Sequence, residues 1–210
     1  MYSIITKDLN KAVAMIKAGR VIAFPTGTSY GLAADISQEY ALQRLRNLKK
    51  RPAEKAFTVF MSTSCYDQYL NLTPEEKSFL DKNQNQQVTI LVKPKELLRH
   101  IFSPPARGGV PSRSDAKGGG GSFVGLRVID HPLMLQLAKA YQAPLTATSA
   151  NVSGQDPCFS PACIQTQFPG RLDDSTYDLS LGLILGAGEL PKNPPSQIIQ
   201  LVNGQIKKIR

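Results

Sequence analysis

Residue types able to do chemistry fall in three groups: Pro25-Thr26-Gly27-Thr28-Ser29-Tyr30-Gly31-Leu32, Lys49-Lys50-Arg51-Pro52 and Ser149-Ala150-Asn151-Val152-Ser153-Gly154. Together they offer hydroxyls, a side-chain amide, a lysine and an arginine. A lysine is a compact charge, whereas an arginine grips phosphate oxygens in a bidentate fork. Nucleotidyl transfer needs such cations to neutralise charge on the α-phosphate and the departing pyrophosphate, with hydroxyls and amides to hold the nucleotide. The groups therefore suit a triphosphate. Taken singly, Lys49 and Arg51 read first as solvated charges, and Ser149 and Asn151 as a polar turn. Their combination with the strand-end hydroxyls Thr26 and Thr28 favours a ligand site.

The elements needed to position them are legible. Leu9, Ala12, Val13 and Ile16 recur at helical spacing, and Gly19 closes that helix in a left-handed cap. A buried strand over 21–24 follows and releases Thr26 at its end. Ser37 is placed to cap a second helix with Leu42, Leu45 and Leu48 as its apolar stripe. Pro52 stops that helix, so Lys49 and Arg51 sit at its exit. A strand is expected over 57–61. Thr73-Pro74-Glu75-Glu76 then combines a capping hydroxyl, a proline at the first helical position and a reciprocating glutamate. Strands over 88–92 and 124–128, a helix over Pro132–Tyr141 and a strand over 145–147 lead into Ser149. Segments 196–202 and 205–209 flank Asn203-Gly204, a hairpin signal because both residues tolerate positive φ. The pattern is α/β with a mixed sheet and no internal repeat.

The stretch 103–122 differs. It holds Pro104, Pro105, Gly108, Gly109, Pro111 and four successive glycines from Gly118, with Arg107, Arg113 and Lys117 among them. Such a segment lacks the apolar atoms to bury itself and reads as a mobile loop. Because the flanking strands look like parts of one sheet, a lid is favoured over a domain linker.

Whole-chain properties narrow the partners. At 210 residues and 41% hydrophobic composition, one sizeable core and a single domain over 1–210 are expected. A formal charge of +9 favours an anionic partner: nucleotide, nucleic acid or membrane surface. No apolar run approaches the roughly 20 residues that span a bilayer, and no signal-peptide core precedes residue 20, so no membrane partner and a cytoplasmic location are expected. Cys65, Cys158 and Cys163 have no metal-ligand spacing and read as small buried hydrophobes, with only His100 and His131 to complete a site. No metal ligand is assigned. The chain lacks a phosphate-binding Gly-x4-Gly-Lys loop, a dinucleotide Gly-x-Gly-x-x-Gly and a Gly-x-Ser-x-Gly elbow. Gly186-Ala187-Gly188 precedes prolines rather than a helix and reads as a turn near a site.

The order Pro-Thr-x-Thr-x-Tyr-Gly-Leu, Lys-x-Arg-Pro-x-x-Lys, Val-Gly-Leu-Arg-Val-x-Asp-His-Pro and Thr-Ser-Ala-Asn-x-Ser-Gly resembles the YrdC/TsaC family of threonylcarbamoyl-AMP synthases, from Val21 to about Gln200. The resemblance implies an open twisted mixed sheet with flanking helices and a basic concave cleft. It also implies a reaction, in which L-threonine, bicarbonate and ATP give threonylcarbamoyl-AMP and pyrophosphate. The product would feed a downstream threonylcarbamoyl-transferase complex acting on tRNA. By the same resemblance Lys49 and Arg51 would be catalytic at the ATP phosphates, with Lys55 close behind. Thr26, Thr28 and Tyr30 would line the threonine and carbamate end. Arg127 matches the arginine that follows the central strand, Ser149 and Asn151 match the Ser-x-Asn pair expected at the nucleotide, and Thr89 and Ser196 match further motif positions. Magnesium would arrive with ATP, since the motifs contain no carboxylate cage. Gly27 stands in place of the usual acidic residue, Ser29 of valine, Ala56 of proline, and Asn85-Gln86-Gln87 of Pro-Gly-Pro. The competing class is a non-catalytic tRNA or double-stranded-RNA-binding paralogue of the same fold. Carbamoyl transfer to a protein would need an acceptor-binding domain.

Overall fold

The computed structural model describes residues 4–52, 57–96, 98, 123–169 and 181–209. Lys55 and Ala56 and the stretch 103–122 lie outside the described residues. Strands are β1 (Ile5–Thr6), β2 (Ile22–Pro25), β3 (Tyr30–Ala33), β4 (Val59–Phe60), β5 (Leu70–Asn71) and β6 (Val88–Pro94), then β7 (Val124–Arg127), β8 (Leu145–Thr146), β9 (Thr148–Ser149), β10 (Leu183–Leu185), β11 (Gln197–Val202) and β12 (Gln205–Lys208). Helices are α1 (Leu9–Lys17), α2 (Glu39–Lys49), α3 (Tyr66–Tyr69), α4 (Pro74–Lys82), α5 (Pro132–Tyr141) and α6 (Pro161–Gln167).

The strands form two open mixed sheets. The first runs β1-β10-β2-β3-β9, the second β12-β11-β6-β7-β4-β8, with β5 beside β6. The single mixed sheet expected from sequence is thus divided. Chain direction explains how the halves meet: β8 belongs to the second sheet and β9 to the first, so the backbone crosses between them at Ala147. A bridge between Asp35 and Leu145 and a bond from the Ala34 amide to Thr146 Oγ1 at 2.9 Å tie the same seam.

Alternation along β2 serves two cores. Ile22 and Phe24 pack with Ala12 and Ile16 of α1 and Met134 and Leu137 of α5, while Ala23 joins Leu32, Leu42 and Leu45 on the other face. Such burial of apolar surface on both sheet faces is the dominant stabilising contribution.

Several local expectations hold. Gly19 adopts φ +72 after α1, and Thr73 and Glu76 exchange both bonds of a capping box at α4. Asn203 and Gly204 both have positive φ between antiparallel β11 and β12. Others are corrected. Ser37 does not cap α2: its hydroxyl donates to Asp35 Oδ1 at 2.8 Å, and Gln38 holds the cap position without a side-chain bond to the helix end. The strand expected over 57–61 is only Val59–Phe60. Cys158 and Cys163 form a disulfide with Cα atoms 5.4 Å apart, rather than two separate buried thiols, and Cys65 alone is a free buried cysteine.

Candidate functional site

A cavity of about 900 Å³ opens where the two sheets diverge. From the first sheet it is lined by Thr26, Thr28, Tyr30 and Ser149, and from the second by Thr89, Arg127 and Ser196. Arg51 enters from the exit of α2. Its guanidinium lies 5.0 Å from the Phe57 ring centroid, with Arg46 5.4 Å from the same ring. Burial first, and Arg46 second, push the Arg51 guanidinium below its ordinary value. Lys192 is a further cation on the wall and Asp156 an acid.

The turn after β2 is built from within. The Thr26 hydroxyl donates to the Ser29 carbonyl at 2.7 Å and accepts from the Thr28 and Ser29 amides, closing the turn on itself. The Thr28 hydroxyl lies 3.1 Å from that of Thr26 and accepts from Arg127 at 3.4 Å. Arg127 also donates to Asp130, a pair almost wholly buried. Arg127 Nε is buried without a hydrogen-bond partner among the described residues. On the second sheet, Gly125 admits the threonines on either side of β7, since a Cβ there would lie 2.7 Å from Thr58 Cγ2 and 3.2 Å from Thr89 Cγ2. The Thr89 and Ser196 hydroxyls stand 3.2 Å apart.

Lys49 and Asn151 are placed behind the wall. Lys49 is 2% exposed, and its ammonium donates to the carbonyls of Ser149 at 2.5 Å and Asn151 at 2.7 Å and to Asn151 Oδ1 at 3.4 Å. The Asn151 amide donates to Val152 and Gln155 carbonyls, and its Oδ1 accepts from Ser149 Oγ at 2.5 Å. Both residues therefore shape the segment that presents Ser149. Tyr30 is among the lining residues, but its hydroxyl is taken: it donates to Gly188 O at 2.9 Å and accepts from the Ala187 amide at 2.8 Å. Gly186-Ala187-Gly188 is thus the turn that anchors Tyr30.

A family model described as "Telomere recombination" and designated Sua5_yciO_yrdC matches residues 14–210. The chain belongs to the Sua5/YciO/YrdC family. Among curated relatives in this family, a threonylcarbamoyl-AMP synthase of Serratia proteamaculans is 31% identical over 89% of this chain and 87% of its own length. The synonymous protein of Vibrio campbellii is 30% identical over 95% and 97% respectively. The fold matches Sua5 of P. abyssi, solved with L-threonine, at a TM-score of 0.75 and 23% identity; this chain covers about half of it, 53%. It also matches E. coli YciO at a TM-score of 0.73 and 20% identity, over 93% of that chain.

Within this Sua5/YciO/YrdC chain, sequence reasoning missed Asp130, Gln87, Asn193, Thr58 and Lys192. Asp130 stood inside a quoted motif and Gln87 among the departures, so both positions were marked without a role. Nothing in sequence marked Asn193. Among the described residues no group of three or more His, Cys, Asp and Glu is placed to hold a metal, and no helix is long and apolar enough to cross a membrane.

Proposed function

We propose that this chain is a threonylcarbamoyl-AMP synthase, consuming L-threonine, bicarbonate and ATP. Family membership, with relatives that carry this AMP-transferring enzyme's name, makes it a nucleotidyltransferase. The observation that supports the finer reading is one cavity joining Thr28, Arg127, Arg51 and Ser149 at a volume of about 900 Å³. That volume is at the upper end of the roughly 300–1,000 Å³ usual for ligand pockets, room for a nucleotide beside an amino acid.

In this reading the threonine amine takes up bicarbonate to form a carbamate with loss of water. A carbamate oxygen then attacks the α-phosphorus in line, the bond to the bridging oxygen breaks, and pyrophosphate leaves. No covalent enzyme intermediate is needed, so the protein acts by alignment and charge stabilisation. Arg51 faces the phosphates. Arg127 and the Thr28 hydroxyl hold the carbamate end, and Ser149 meets the nucleotide from a segment set by Lys49 and Asn151. Magnesium enters on ATP as part of the substrate, consistent with Asp130 being engaged by Arg127 and Gly27 and hence taken from any metal cage. The product passes to a threonylcarbamoyl-transferase acting on tRNA, in the cytoplasm.

The test is pyrophosphate release from ATP by the purified chain. Release should require both L-threonine and bicarbonate and fall about 100-fold in Arg51→Ala, on the order of 2.7 kcal/mol of transition-state stabilisation. Absence of threonine-dependent release, with tRNA retained at fixed salt, would replace the synthase with the RNA-binding alternative.

A further inference from the structure

Gly27, in the turn between β2 and β3, is held through both of its backbone groups. The Gly27 amide donates to Asp130 Oδ1 at 2.9 Å. Its carbonyl accepts from Gln87 Nε2 at 2.7 Å and from Asn193 Nδ2 at 2.8 Å. These partners come from three separate places: the segment after β7, the lead into β6 and the loop before β11. The same Asp130 carboxylate pairs with Arg127, its side chain only 1% exposed. Space allows this only at a glycine, because a Cβ on residue 27 would lie 2.7 Å from Asp130 Oδ2 and 2.8 Å from its Cγ.

We infer that Asp130 is the positioning residue of the site, fixing the Arg127 guanidinium and the Thr26–Ser29 turn against one another, with Gln87 and Asn193 as the opposing half of the clamp. A single buried carboxylate has two oxygens and divides them, one to the backbone of the first sheet and one to a cation of the second. The distance between Thr28 and Arg127 is thereby set by a third group that a substrate need not touch. The two amides close the remaining freedom, since a carbonyl has two lone pairs and both are used. Small misplacements of reacting groups cost large factors in rate, so this clamp acts on turnover more than on affinity.

The kinetic part of the inference rests on the synthase reading. Asp130→Asn keeps an oxygen for the Gly27 amide and removes the charge opposite Arg127. Turnover is expected to fall at least 30-fold while the Kd for ATP alone, from titration calorimetry, rises no more than threefold. Turnover within threefold of the parent, or an ATP affinity lost in parallel with turnover, overturns the assignment. Gln87→Ala and Asn193→Ala are expected to cost under threefold each and more than tenfold together, because either amide alone still holds the carbonyl; additive small losses overturn the clamp. This pair also decides the matter if the Asp130 variant does not fold. An arm that needs no reaction is hydrogen exchange at the Gly27 amide, expected to accelerate at least tenfold in Asp130→Ala. Unchanged exchange refutes the clamp. If the parent releases no pyrophosphate, the synthase reading fails and the exchange result still stands or falls by itself.

Discussion

Two demands on Lys49 pull its charge in opposite directions. Burial first, and Arg51 second, lower its pKa to about 7, while the three oxygens that it faces favour the ammonium. A folded-state pKa below the unfolded value means that the unfolded chain binds more protons between the two. The contribution to stability is then full above pH 10.5 and lost as pH falls through about 7. Lys49→Met removes both the titration and the donors, leaving two carbonyls short of partners at a cost of about 1–3 kcal/mol. Urea unfolding at pH 7 and pH 9 should show the parent gaining on this variant as pH rises; a gap that does not widen contradicts the buried placement. The residue type and its place at a helix exit were readable from sequence. Its direction was not, because a side chain at the end of α2 can turn to solvent or inward, and only the docked Ser149–Asn151 segment supplies the inward acceptors.

At the start of α5, three consecutive residues serve three purposes. Asp130 pairs with Arg127, His131 caps the helix by accepting the Leu133 amide on Nδ1 at 3.1 Å, and Pro132 takes the first helical position. An accepting Nδ1 carries no proton. Burial accordingly pushes the His131 pKa down, against an upward pull from Asp130. The cap therefore contributes fully above pH 6.5 and is lost as pH falls through the depressed folded value. His131→Ala should cost about 1 kcal/mol near pH 7.5, and the difference from the parent should shrink in acid when both are unfolded by urea at pH 7.5 and pH 5. A constant difference would exclude His131 as a titrating cap of α5. Element existence followed from apolar spacing and cap chemistry at α1, α2, α4 and α5. Ser37 shows where that reasoning stops: a capping serine accepts from free helix N–H groups, but here its amide and hydroxyl both donate to the Asp35 carboxylate two residues earlier, and Gln38 takes the cap position. The cysteine pair was missed for a related reason, since a spacing of five residues forms a disulfide only if the intervening loop folds back.

For the whole molecule, the site lies where two sheets part, so ligands that fill it bind the folded chain and not the unfolded one. At 100 times its Kd, such a ligand adds about 2.7 kcal/mol of apparent stability. MgATP should raise the Tm, L-threonine with bicarbonate should raise it further, and Arg51→Ala should abolish the first increment while leaving the unliganded Tm within a few degrees. A Tm that does not respond to saturating MgATP would count against the cavity as a nucleotide site.

Residue order alone determined the class of elements, because strand alternation, helix spacing and cap chemistry are local and act over a few neighbours, and its motifs carried the family resemblance and with it many of the polar cavity residues. Thr26, Thr28, Arg51, Thr89, Arg127, Ser149 and Ser196 were all named from sequence and all line one cavity. Tertiary structure alone decided which functional groups remain free. Lys49, Asn151 and the Tyr30 hydroxyl are engaged by backbone groups that lie up to 158 positions away, and Asp130, Gln87 and Asn193 converge on Gly27 from three segments. Hydrogen bonding is pairwise and short-ranged, and its partners are assigned only when the chain passes from one sheet to the other at Ala147 and brings the distant ends within 3 Å of one another.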